Sequence, residues 1–229
     1  MSDKIKQTHA MLAKHHRHGE EFARRMQESF AGRFNDDFWQ LWASRIMPDL
    51  PQRPVLLDLG TGPATFIKTV VQRFPDIQAY GVECAPYMLQ AVGELPEGAH
   101  IIEADLQDPQ LPLQDASVDV AITSAVIHEM HQPVRMFQEL SRVLKSGARF
   151  YIFDWVRAPL QAYLDREGVN PFAGDMDVYA LEDIFIHFIE HNRFTVDDLI
   201  YMLQKTGFKI LDNGLRNNGQ HVWLLAEKN

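Results

Sequence analysis

The stretch Val55 to Thr65 reads Val-Leu-Leu-Asp-Leu-Gly-Thr-Gly-Pro-Ala-Thr, and its reading decides the fold. Val55 to Leu57 is a short apolar run of the kind that forms a buried strand. It leads through Asp58 into Gly60-Thr61-Gly62. Beyond Pro63, the apolar residues Phe66, Ile67, Val70, Val71 and Phe74 recur at the spacing of one helix face. Strand, glycine turn and helix in succession build the ligand pocket of a parallel α/β sheet. Glycine lets the chain take positive φ and lets a ligand approach the backbone. The open helix N-terminus offers unpaired N–H groups. A plain βα turn needs glycine for geometry alone, so the assignment depends on the next strand ends.

Working outward, the pattern repeats. Strands are predicted at Val55–Asp58, Ile77–Val82, His100–Glu103, Val118–Thr123 and Arg149–Phe153, with helices near Thr65–Arg73, Tyr87–Val92 and Val134–Leu144 between them. Gly147 reads as the stop of the last of these helices. Alternating strands and helices imply a parallel sheet covered on both faces. Thr195-Val-Asp-Asp198 reads as a capping box that opens a helix ending near Gly207. Two further strands, Phe208–Leu215 and His221–Ala226, are joined by Asn217-Asn218-Gly219, a hairpin signal at the sheet edge. Before the sheet, residues 1–50 carry Phe22, Met26, Phe30, Phe34, Phe38, Trp42 and Ile46 at helical spacing. They are expected to pack one side of the core and to form a helical lid. Residues 157–193 interrupt the alternation with two predicted helices, Leu160–Arg166 and Leu181–His191.

Composition bounds the function. The chain has 229 residues, 46% of them hydrophobic, enough for one substantial domain, here 51–229, with the lid as an appendage. A net charge of −9 argues against a broad nucleic-acid footprint. The sole cysteine, Cys84, excludes an internal disulfide. No apolar run has transmembrane length and no apolar leader is evident, so a cytoplasmic chain is expected. Oligomeric state is left open.

Ligands in such sheets bind outside the carboxyl ends of the strands. Asp58, Glu83, Asp105 and Ser124 fall there. Glu83 lies 21 positions after Gly62, where an acid meets ribose hydroxyls, and Asp105 is placed to accept from an adenine amine. Taken in order, Asp58-Leu-Gly-Thr-Gly62, Gly81-Val-Glu-Cys-Ala-Pro-Tyr-Met-Leu89, Glu103-Ala-Asp-Leu106, Leu111-Pro-Leu-Gln-Asp-Ala-Ser-Val-Asp119 and Thr195-Val-Asp-Asp-Leu with Gly207-Phe208 resemble the class I S-adenosylmethionine-dependent methyltransferases. The likeness is nearest to the ubiquinone/menaquinone-type small-molecule branch. The resemblance implies a Rossmann-like α/β fold with a seven-stranded, mostly parallel sheet whose last strand is antiparallel. It implies S-adenosyl-L-methionine as cofactor and methyl transfer to a small molecule. By the same resemblance, Gly60, Thr61 and Gly62 line the methionine part and Glu83 takes the ribose. Cys84 and Met88 flank the adenine, Asp105 and Leu106 hold its edge, and Ser124 and Ala125 lie beside the sulfonium. Ala64 stands where the family often has a third glycine. A dinucleotide would fit worse, because of the acid before the glycines and Pro63 within the loop. A non-catalytic adenosylmethionine-binding scaffold is the alternative function.

The expected bases follow the fourth strand, at His128 and Glu129 in Ser124-Ala-Val-Ile-His-Glu-Met-His131. The spacing is not that of a zinc-protease helix. Tyr179, His187 and Arg193 of the insertion are expected to contact substrate. Asp183, His187 and His191 share a helix face, and His15, His16 and His18 cluster near the N-terminus. The N-terminal group is read as a solvated face, the helix face as either solvated or hydrogen-bonded across to a neighbour, and no metal site is expected.

Overall fold

The computed structural model describes residues 3–229. Its strands are β1 (Val55–Leu59), β2 (Gln78–Glu83), β3 (Ala99–Glu103), β4 (Val118–Ser124), β5 (Leu144–Trp155), β6 (Phe208–Arg216) and β7 (His221–Lys228). They form one seven-stranded sheet in the order β3-β2-β1-β4-β5-β7-β6. β1 to β5 pair in parallel, and β7 runs antiparallel to both its neighbours. This is the expected Rossmann-like architecture. The strand order reverses between β1 and β4, which places the ligand crevice at their carboxyl ends.

Side chains of successive strand residues point to opposite faces, and the core divides accordingly. Leu57, Leu59, Ala121 and Phe150 join Phe137, Leu140 and Leu203 on one face. Leu56, Val120, Ile122 and Tyr151 join Phe66, Ile67 and Val70 on the other. Helices α5 (Thr65–Arg73), α6 (Pro86–Gln90), α7 (Val134–Val143) and α10 (Val196–Lys205) are the regular connections. At the N-terminus of α10 the Thr195 side chain accepts from the Asp198 N–H, and the Asp198 carboxylate accepts from the Thr195 N–H. Asn217, Asn218 and Gly219 all take positive φ, as the hairpin between β6 and β7 demands.

Two details differ from the sequence reading. Gly147 does not stop α7. The carbonyls of Arg142 and Val143 accept from the N–H groups of Ala116 and Ser117, so the chain enters β5 directly at Leu144, and Gly147 takes φ +81° within that strand. The first fifty residues also divide in function. Of α1 (Asp3–His16), α2 (Gly19–Glu28), α3 (Phe30–Arg33) and α4 (Asp36–Leu41), the last continues through Trp42 and Ile46 as a layer of the core. Phe38, Trp42 and Ile46 are each at most 1% exposed. Only α1 to α3 remain to cover the crevice. Residues 157–193 contribute α8 (Leu160–Glu167) and α9 (Val178–His191) beside it. Among the described residues, no helix is long and apolar enough to cross a membrane.

Candidate functional site

The crevice begins at the loop after β1. The N–H groups of Gly60 and Thr61 both donate to the Val82 carbonyl at 2.9 Å, fastening the loop to the tip of β2. The Glu83 carboxylate completes the attachment. Its Oε2 accepts from Gly62 N–H at 2.9 Å, and its Oε1 accepts from the N–H groups of Cys84 and Ala85 at 2.8 Å. Burial raises its pKa, against the opposing pull of these three donors. Gly60 has φ +72°, and a Cβ there would lie 2.3 Å from Val126 Cγ2. Gly62, at φ +57°, is buried, and a Cβ there would lie 3.7 Å from Met88 Sδ, an ordinary contact. Ala64, where the family often has glycine, is fully buried and holds a left-handed φ of +62°.

From this loop a cleft of about 630 Å³, mouth included, runs between the strand tips and the N-terminal helices. Gly60, Glu83, Cys84, Met88, Asp105, Leu106, Ala125 and Glu129 line it from the sheet side. Thr8, Leu12, His16, Phe22 and Met26 roof it from α1 and α2. Thr8 Oγ1 donates to Asp105 Oδ2 at 2.7 Å, and Gln107 N–H donates to Oδ1 at 2.9 Å. His16 Nε2 lies 2.7 Å from Glu129 Oε1, and its Nδ1 is hydrogen-bonded to the Tyr87 hydroxyl. Burial would raise the Glu129 pKa, but His16 and the neighbouring imidazoles outweigh it and bring it below the usual value.

A smaller cavity on the other side of the loop is lined by Met26, Arg33, Asp58, Thr61, Thr65 and Ser124, among others. Met26 lines both spaces. Asp58 Oδ2 accepts from Thr61 Oγ1 at 2.7 Å, and burial lifts its carboxyl to about 7. Arg33 donates to Ser124 Oγ at 3.3 Å and to the Met26 carbonyl at 2.9 Å. Its Nε is buried without a partner among the described residues. An orphaned guanidinium nitrogen beside an acid is a costly arrangement unless a ligand completes it.

At the far end, the turn Ile127–Glu129 is organised by Asp154 at the end of β5. Asp154 Oδ2 accepts from Val126 and Ile127 N–H, and Oδ1 accepts from Trp155 N–H and lies 2.7 Å from His128 Nδ1. Burial works to lower the His128 pKa, and Asp154 overrides it and draws it up. His128 is therefore held behind Glu129, outside the cleft lining. Sequence reasoning missed Asp154, although it is an acid at a strand's carboxyl end like Asp58 and Glu83. It missed Arg33 as well, for which only the pairing of α3 with the loop gives a signal.

The expected solvated cluster at His15, His16 and His18 is corrected. His18 is exposed, but the side chains of His15 and His16 are only 9% and 4% exposed. The last turn of α1 points into the protein and meets Glu129, His128 and α9. The face of α9 takes the second of its two expected forms, bonding across to neighbours: Asp183 pairs with Arg17 at 2.6 Å, while His187 Nδ1 lies 2.6 Å from the Tyr163 hydroxyl and His191 packs against His128. Of the residues expected to contact substrate, His187 lines a second cleft beside α1, Arg193 is half-buried with its Nε unpaired among the described residues, and Tyr179 is 78% exposed. No described cleft is lined by Tyr179, because it sits in the first turn of α9 on the outer side.

Residues 57–152 match the family described as "Methyltransferase domain". The chain is 30% identical over 135 residues to the ubiquinone/menaquinone biosynthesis C-methyltransferase of Syntrophotalea carbinolica, covering 57% of this chain and 56% of that one. It spans 30 to 42% of the length of three other curated relatives it matches. Among solved structures, an S-adenosylmethionine-dependent methyltransferase from Aquifex aeolicus superposes with a TM-score of 0.62 at 14% identity, covering 92% of this chain and 98% of that one. The [4+2]-cyclase SpnF superposes with a TM-score of 0.61 at 18% identity, covering 84% and 81%. These two likenesses concern the fold.

The loop geometry yields a direct test. Gly60→Ala would combine a left-handed backbone with a clash against Val126, and should destabilise the chain by about 2–4 kcal/mol. Urea unfolding followed by circular dichroism measures this, and an unchanged midpoint would contradict the described loop.

Proposed function

We propose that the chain, whose residues 57–152 match the family described as "Methyltransferase domain", is a class I S-adenosylmethionine-dependent enzyme that transfers a methyl group from S-adenosylmethionine to a small-molecule acceptor. One observation carries the reading. The glycine loop separates a cleft edged by Glu83 and Asp105 from a small cavity holding Arg33 and Asp58. A nucleoside joined to a zwitterionic amino acid needs that pair of environments. The orphaned Arg33 Nε suits the amino-acid carboxylate, and Asp58 with Thr61 suits the ammonium.

On this reading Gly60, Thr61 and Gly62 present backbone to the methionine chain, and Ser124 and Ala125 flank the sulfur. Three backbone donors occupy the Glu83 carboxylate, which leaves roughly one of its four acceptor positions, on Oε2, for a ribose hydroxyl. Cys84, Met88 and Leu106 give the apolar walls of an adenine slot. Asp105 would take the adenine amine, a bond for which Thr8 now competes.

The cofactor supplies a methyl group on a good leaving group, so the protein's task is to align and to exclude water. Alignment contributes on the order of 7–11 kcal/mol. Phe22, Met26 and Leu12 exclude water from the roof. Glu129, at the cleft wall, is ionised at neutral pH and can take a proton that an acceptor hydroxyl or carbon acid loses. His128 acts through Asp154 and Glu129 as a positioning residue. His187 on α9 and Arg193 just beyond its end would meet the distal part of the acceptor. Tyr179 could do so only from the outer side of α9.

The likeness to a [4+2]-cyclase gives one reason to keep a non-methylating alternative, in which the donor or its product is bound but not consumed. Incubation with methyl-labelled donor and a small-molecule extract separates the two. Label should pass into low-mass products; label remaining on tightly bound donor would favour the alternative.

The raised Asp58 carboxyl sets a pH dependence. Its folded pKa of about 7 exceeds the unfolded carboxylate value, so the proton stabilises the folded chain and that contribution fades as pH rises towards 7. A bound ammonium favours the ionised form. Affinity for S-adenosylhomocysteine should therefore be roughly tenfold lower at pH 6 than at pH 8. The Asp58→Asn variant should be weaker throughout, with a flat profile. A steep profile retained in the variant would remove Asp58 from this role.

A further inference from the structure

We propose that His15, His128 and His191 form a binding site for a divalent transition-metal ion of zinc type, built from three separate segments of the chain. Each histidine offers a ring nitrogen, and these atoms lie within 4.8 Å of one another. Ring centroids are 5.2 Å apart for His15 and His191, 5.1 Å for His128 and His191, and 6.1 Å for His15 and His128. Three imidazoles bound tetrahedrally at a zinc–nitrogen distance of about 2.0–2.1 Å have centroids roughly 5 Å apart. The ligand nitrogens of such a site lie about 3.3 Å apart, so the rings must draw together by up to about 1.5 Å from their present spacing to close on an ion.

The outer contacts are those of ligating imidazoles. His15 Nδ1 lies 3.0 Å from Glu190 Oε2, His128 Nδ1 lies 2.7 Å from Asp154 Oδ1, and His191 Nδ1 lies 3.0 Å from the His187 carbonyl. All three partners are acceptors, two carboxylates and a carbonyl. Each Nδ1 therefore carries the hydrogen, and each Nε2 is left with its lone pair for a metal. A metal-bound histidine almost always donates its other N–H to such a partner, which fixes the tautomer and the ring orientation. Packing alone would not require the same arrangement three times at one point.

The charges around the site also suit a cation. Glu129 Oε1 lies 3.7 Å from His15 Nε2 and 3.8 Å from His128 Nε2. It stands beside the fourth, open position of the ion and remains tied to His16 at 2.7 Å. All-nitrogen ligation by neutral imidazole selects zinc, nickel or copper over magnesium or calcium. Three histidines with an open position leave room for a water on the ion. The ion would join the last turn of α1, the turn after β4 and the last turn of α9, and so fasten the lid. The helix-face spacing on α9 includes only one of these ligands, because the other two come from distant segments. The site stands independently of methyl transfer, and its test reads metal alone.

The full chain is stripped with a chelator, dialysed and titrated with zinc or cobalt(II). We expect one equivalent per chain and the visible absorption bands of tetrahedral cobalt. Binding should fall roughly 100-fold or more in His191→Ala and in His15→Asn, and persist in His18→Ala, whose histidine is exposed. Zinc should also slow tryptic cleavage after Lys14 and Arg17. His15→Asn lies on the lid helix, outside the sheet core, so it remains informative if His191→Ala fails to fold. A folded wild-type chain that takes up no cobalt would overturn the proposal, as would unchanged affinity in His15→Asn.

Discussion

The structure depends on one buried carboxylate. Glu83 accepts from Gly62, Cys84 and Ala85, and so joins the loop after β1 to the turn after β2. An ionised carboxyl is an acceptor only, and three N–H donors that would otherwise be buried without partners converge on it. Gly60 and Thr61 bind the Val82 carbonyl just before it. The loop is thereby held in a left-handed conformation at Gly60 and Gly62 that no ordinary residue would choose. Everything on the ligand side is positioned from this junction: the cleft on one side, the Arg33–Asp58 cavity on the other, and Val126 packed against Gly60.

The N-terminal helices are organised by the same strand tips. Thr8 meets Asp105, His16 meets Glu129, and Arg33 meets Ser124 beside Asp58. Each of these three contacts falls on a group that the proposed ligand would also use. A ligand entering the cleft exchanges roof contacts for its own, which couples occupancy to the position of α1. These pairs are not the roof's whole attachment. Arg17 with Asp183, and the imidazoles that meet α9, supply the rest.

The sheet was legible because its signals are local. Val55 to Thr65 carries strand, turn and helix within eleven residues, and Asn217-Asn218-Gly219 can hardly be anything but a turn. Strand-end acids follow from the same logic, and Asp154 could have been added by applying it to β5. The roof was less legible. Amphipathic spacing showed that Phe22 to Ile46 face something apolar, but not that Phe38, Trp42 and Ile46 face the sheet while Phe22 and Met26 face the cleft. His15 and His16 sit among polar residues, so only tertiary contacts with the turn after β4 and with α9 reveal them as buried. Such contacts link positions more than a hundred residues apart, and no local pattern encodes them.

The central claim is that the Glu83 junction shapes an adenosine site. Titration calorimetry of S-adenosylhomocysteine into the wild-type chain and into Glu83→Gln tests it most directly. The account expects one site per wild-type chain and at least about tenfold weaker binding in the variant, whose amide replaces a charged acceptor by a neutral one. No heat from folded wild-type protein, or equal affinity in a folded variant, would contradict it.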